Sequence, residues 1–150
     1  AGSYEMKFGT KALVAGFMMV AGVAIAAEAT DPTVKARQEL MDVIGMNTGI
    51  LGKMAGGETA FDAAAAEAAK TALAAAAVEI AAKFEPQAND PKSTAKPDVW
   101  TNWDDFVKKG EALKAAAEAM DATTVEGVQA GMGAIGGACK DCHTTYRIPS

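Results

Sequence analysis

Between Ala60 and Lys83 the chain is dominated by alanine, with Phe61, Leu73, Val78, Ile80 and the following Phe84 as its bulky apolar residues. Alanine loses no side-chain entropy in a helix and has the highest helix propensity, so such a tract has essentially one regular structure open to it. It also cannot build a core alone, because small side chains leave room that neighbouring elements or a bulky guest must fill. No segment elsewhere alternates apolar and polar residues at period two for long enough to be a strand. Only 5 prolines and 6% aromatics interrupt the pattern. The expected class is all-α.

The helical spacing can be followed through the rest of the chain. Asp31 and Pro32 open helix one, which runs to Ala55 before Gly56-Gly57, with an inward stripe of Val34, Arg37, Met41, Ile44, Thr48, Leu51 and Ala55. Helix two covers about Ala60 to Lys83. Glu85 to Pro97 holds Pro86, Pro91 and Pro97 without a period and reads as a loop. Helix three starts near Asp98 and ends before Asp121, turning Trp100, Trp103, Phe106, Leu113 and Met120 inward. Thr123 or Thr124 caps the last helix, whose stripe is Val128, Met132, Ile135, Cys139, Cys142 and Tyr146. Four such helices with one longer connection predict an antiparallel four-helix bundle in a single domain. The pairs Asp104-Asp105 and Lys108-Lys109 read as a solvated face of helix three.

The first 29 residues are read separately. From Met6, Lys7 and Lys11 precede an apolar stretch from Ala12 to about Val23, followed by the overlapping sites Ala24-Ile25-Ala26 and Ala27-Glu28-Ala29. This is the layout of a secretory signal peptide, with cleavage expected after Ala26 or Ala29. The apolar core is short of the roughly 20 residues a spanning helix needs. Ala1 to Glu5 read as a scar or an overlong gene start. Residues 30–150 are then the bundle, exported to the periplasm, at the membrane only if the leader is kept. With 14 basic and 19 acidic residues the net charge is −5. Nucleic acid and a polybasic grip on lipid, which both need clustered positive charge, are excluded as partners.

The chemistry is concentrated in Cys139-Lys140-Asp141-Cys142-His143, because the chain has 2 cysteines and 1 histidine in all. On a helix, positions 139, 142 and 143 share a face. C-x-x-C-H is the attachment run for c-type haem: the thiols form thioethers and the adjacent histidine presents a nitrogen to iron. A redox dithiol of the thioredoxin kind would open a helix after a strand, and no strand is expected. Zinc would have three ligands here and lack a fourth Cys or His. An exported chain suits haem c, whose covalent attachment takes place outside the bacterial cytoplasm.

The C-terminal position of that motif, with Tyr146-Arg147 after it, Trp100-Thr101-Asn102 and Phe106 in helix three, and Arg37-Gln38-Glu39-Leu40-Met41-Asp42 in helix one, resembles the class II cytochromes c, the cytochrome c′ family. The likeness covers nearly the whole of residues 30–150. It implies a left-handed bundle holding one covalent haem c near one end, with Cys139 and Cys142 as thioether donors and His143 as proximal axial ligand. It also implies Arg37 beside a haem propionate and Arg147 beside the proximal pocket. The residue four places after the helix-one arginine, here Met41, lies over the distal haem face in this family. A thioether can donate to iron there, whereas Leu or Phe leaves iron five-coordinate. Read without the family, Met41 is one of several core methionines and Arg37 an edge residue that snorkels. Arg147 is then a cation complementing the helix dipole.

The resulting expectation is a periplasmic one-electron carrier, His143 and Met41 capping the iron, that meets redox partner proteins through an acidic surface. The alternative is a five-coordinate protein that binds NO or CO at the distal face. Neither turns over a substrate, since no nucleophile and base pair is visible. Gly45, Gly49 and Gly52 read as room for close helix packing, and a homodimer is allowed.

Overall fold

A computed structural model of the chain describes residues 28–149. Of the leader read at residues 1–29, residues 1–27 lie outside them. The helices are α1 (Pro32–Ala55), α2 (Ala63–Phe84), a single turn α3 (Asp98–Thr101), α4 (Trp103–Ala119) and α5 (Val125–Tyr146). The long helices form a four-helix bundle in which α1 packs on α2 and α5, and α4 on α2 and α5. Among the described residues no helix is long and apolar enough to cross a membrane.

Capping side chains set the boundaries. Asp31 accepts from the backbone of Thr33 and Val34 at 2.8 and 3.1 Å, starting α1 where the sequence places it. Asp62 accepts from Ala65 N at 2.8 Å, which moves the start of α2 three residues beyond the expected Ala60. Thr124, rather than Thr123, caps α5 through Gly127 N at 3.0 Å. Gly57 ends α1 at φ +78°, a conformation that costs a side chain more than glycine. A Cβ at Gly127 would collide with the Asp121 carbonyl, so the α4–α5 connection can approach only a glycine there.

Two expectations change. Helix three is broken at Asn102 (φ −118°, ψ 43°) into α3 and α4, which lets α3 turn Val99 into the core. On α1 the fully buried seam is Val34, Arg37, Leu40, Ile44, Asn47, Leu51 and Met54. Met41 and Thr48 are half-buried instead and line the wall of a cavity, and Ala55, in the last turn of the helix, is half-buried as well.

The loop after α2 is tied on three sides. Asp90 accepts from Thr30 N and Asp31 N at 2.9 Å each and from Lys92 N at 2.8 Å. Gln38 Nε2 donates to the Lys92 carbonyl at 3.1 Å. Lys96 N donates to the Tyr146 carbonyl at 2.8 Å and Ile148 N to the Thr94 carbonyl at 2.7 Å, an antiparallel bridge that the helical reading does not contain. The backbone donors to Asp90 hold its carboxyl below the usual range. A group with a depressed folded pKa stabilises above its unfolded pKa and loses that contribution as pH falls through the folded value. Asp90→Ala is therefore expected to lower the melting temperature at pH 7, and the gap to wild type to close below about pH 4. A gap that stays constant from pH 7 to pH 3 would show that charge on Asp90 plays no part.

Candidate functional site

The last turns of α5 carry both thiols and the imidazole into one wall of a cavity of about 800 Å³, toward the upper end of the roughly 300–1,000 Å³ of small-molecule sites. Cys139 and Cys142 are half-buried on this wall and are not bonded to each other. Burial pushes the Cys139 thiol up and the Cys142 thiol up to about 11. Both are protonated at neutral pH, opposite to the low-pKa thiolate of a redox dithiol. His143 lines the same cavity, its imidazole pushed down by partial burial and then by the nearby Arg147 cation. Among the described residues no group of three or more His, Cys, Asp or Glu side chains is placed to hold a metal ion.

α1 supplies another wall. Met41, Gly45, Thr48, Gly49 and Gly52 line the cavity, and a Cβ added at Gly45 or Gly49 would meet nothing within 4 Å. Of the glycines that read as room for helix packing, Gly45 and Gly49 thus border open space, whereas a Cβ at Gly52 would meet the Met132 side chain at 3.6 Å. Two buried polar atoms on residues that line the cavity have no partner, Arg37 Nη1 and Thr48 Oγ1. Buried polar groups are nearly always satisfied, so these mark where a polar guest would bond. Apolar walls, two thiols beside an imidazole and an orphaned guanidinium nitrogen fit a large flat macrocycle with carboxylate arms, such as haem. Arg147, exposed at the end of α5, reaches the cavity edge and is pinned by the bridge to Ala95.

The structure brings Arg37, Met41, Cys139, Cys142, His143 and Arg147 to one cavity. It also recruits residues that sequence reasoning assigned to solvent. Lys109 Nζ lies 2.6 Å from Asp141 Oδ2, between the two cysteines in sequence, and itself lines the cavity. Tyr146 OH donates to Asp105, and burial followed by that bond pushes the phenol up to about 12. Tyr146 meets Phe106 edge-on at 5.3 Å, and Trp103 and Phe84 pack on the same ring at 5.5 and 5.2 Å. Asp105 and Lys109 are one helical turn apart, so their shared face was legible; that it meets α5 was not.

A sequence model described as Cytochrome C' matches residues 32–147. The cytochrome c-556 of Agrobacterium fabrum is 35% identical over 147 residues, covering 96% of this chain and 97% of that relative. Cytochrome c' from Rhodobacter spheriodes superposes with a TM-score of 0.72 at 31% identity, covering 79% of this chain and 96% of that one. A nitric oxide complex of a variant cytochrome c prime from Alcaligenes xylosoxidans gives 0.70 at 26% identity, over 78% and 94%.

Proposed function

This chain belongs to the cytochrome c′ family and carries covalently attached haem c with its iron, and we propose on that premise that it binds a small diatomic gas, NO or CO, at the haem face lined by α1. This reverses the order of the two readings that the sequence alone suggests. The observation that carries it is the open, glycine-bordered wall at Gly45 and Gly49, in a fold shared with a protein solved as a nitric oxide complex. When bound, haem iron supplies one-electron Fe(III)/Fe(II) chemistry and, with an open sixth position, a place for such a gas. In this reading Cys139 and Cys142 hold the group by thioethers, His143 binds iron from the α5 side, and Arg37 faces a propionate. Arg147 orders the proximal edge, and Met41 is the apolar wall over the distal face.

A second reading is favoured by one residue. Met41 lines the cavity with a sulfur that Leu or Phe lacks. If that thioether binds iron, both axial positions are filled and the protein is an electron carrier whose acidic surface docks on a basic patch of its redox partner. Visible spectra of wild type and Met41→Leu, reduced, with and without CO, separate the two. The gas-binding proposal expects wild type to be high-spin and to shift with CO, and Met41→Leu to behave alike. A wild type that is low-spin and silent to CO, and gains a CO shift only in Met41→Leu, establishes the carrier instead.

Export to the periplasm belongs to the same proposal, because the haem is attached there. Of the two cleavage sites, the one after Ala26 is favoured: it retains Ala29, which is buried, and Glu28, which lies 3.3 Å from Lys35.

A further inference from the structure

Residues 139–143 lie in the part of α5 that its own sequence holds least. Gly136-Gly137 precede them and Thr144-Thr145 follow, glycine and β-branched residues being weak helix formers, and the helix ends at Tyr146, where the last carbonyls have no partner within it. The threonine hydroxyls turn back to the Lys140 and Asp141 carbonyls at 2.7 and 3.3 Å, a pattern that weakens and bends helices. Cys142 and His143 nevertheless both line the cavity. The contacts that orient them come from α4. Lys109 Nζ donates to Asp141 Oδ2 at 2.6 Å, and Tyr146 OH donates to the Asp105 carboxylate, with Tyr146 buried and its ring edge-on to Phe106. Asp105 and Lys109 are four residues apart on α4 and so share a face, and their partners at 141 and 146 lie on either side of Cys142-His143. Lys109 also lines the cavity, and its bond to Asp141 pushes the ammonium pKa up.

We propose that Asp105 and Lys109 are positioning residues that bracket the cofactor run: two charge-assisted bonds from one face of α4, one just before and one just after Cys142-His143, fix the rotation of α5 about its own axis and keep the thiol and the imidazole turned into the cavity. This rests on the haem reading above and gives the two residues a role exercised through α5. One bond alone leaves a helix free to pivot about it. Two bonds five residues apart, about 7.5 Å along the axis, do not. The charges also oppose the wrong register, because a slip of one turn would set Asp105 against Asp141, like against like.

The test uses the full, haem-loaded protein as wild type, Lys109→Gln, Asp141→Asn, the two together and Tyr146→Phe. Lys114→Gln serves as a control at an exposed pair on the same helix, where Nζ lies 3.7 Å from Glu118 Oε1. Melting temperature is read beside the electron paramagnetic resonance spectrum of the ferric protein, which reports how the axial imidazole sits on iron with or without a sixth ligand. Lys109→Gln and Asp141→Asn are expected to give the same altered spectrum, and the double variant to match either single, because all three lose one and the same bond. Tyr146→Phe is expected to alter the spectrum as well, and Lys114→Gln to leave it unchanged. A wild-type spectrum in the Lys109 and Asp141 variants, or in Tyr146→Phe, would overturn the proposal even where the melting temperature falls, since the contacts then only hold two helices together. Different spectra in the two single variants that cancel in the double would overturn it too, because the charges would then act on iron directly. Failure of the haem reading is seen separately, as a wild type without a haem spectrum.

Discussion

Alanine at both Cys139 and Cys142 is expected to abolish covalent pigment completely. After denaturation and extraction with acidified organic solvent, the wild-type chain should keep a haem absorption band and the mass of chain plus one haem. The double variant should show the mass of the bare polypeptide. Each single variant retains one thiol and is expected to show a weakened covalent band, because one thioether still tethers the group. The reason lies in the helix: positions 139 and 142 stand about one turn apart on α5, so in the proposed assignment both thiols would hold the haem and His143 would present a nitrogen to its iron. Noncovalent haem in the double variant would agree with the iron-binding role proposed for His143. Covalent haem in it would refute the assignment of these thiols.

The second large effect is expected at Leu73, where replacement by alanine should cost about 2–5 kcal/mol, toward the top of that range. Leu73 is 0% exposed on α2, and the buried residues along that face on either side are Ala66, Ala69, Ala76 and Ala77. Short neighbours cannot swing into the space a lost isobutyl group leaves, so the cavity persists. Against a total stability of about 5–15 kcal/mol this is a large share. Val78 on the same helix is 59% exposed, and Val78→Ala should stay within about 0.5 kcal/mol. Chemical denaturation of the two variants checks both, and a Leu73→Ala cost near that of Val78→Ala would show that α2 is not packed as described.

The alanine tract and the spacing of three and four were enough to read the bundle from sequence, and the C-terminal C-x-x-C-H run was enough to name the candidate attachment residues that the structure places on one cavity wall. The bounds of α1 were legible because Asp31, Pro32 and Gly56 are local signals whose effect does not depend on what packs nearby. The break at Asn102 was not. Trp100, Trp103 and Phe106 keep helical spacing straight through it, and the break follows from how α3 meets the core. The division of α1 also escaped the pattern, since Leu40 and Met41 are adjacent apolar residues and periodicity alone does not say which of them packs and which borders a cavity.

What the sequence determined by itself is therefore what short-range chemistry controls: helix formation, its caps, and two thiols with an imidazole on one face. Tertiary structure alone decided how the charged and polar residues are used. Arg37 reaches carbonyls 46 and 49 residues away, Lys109 an aspartate 32 residues away, and the bridge from Ala95 to Arg147 closes the loop over the end of the haem motif. These partners are chosen by which helices become neighbours, and that choice follows from the summed burial of many apolar side chains, a quantity no local stretch of sequence carries.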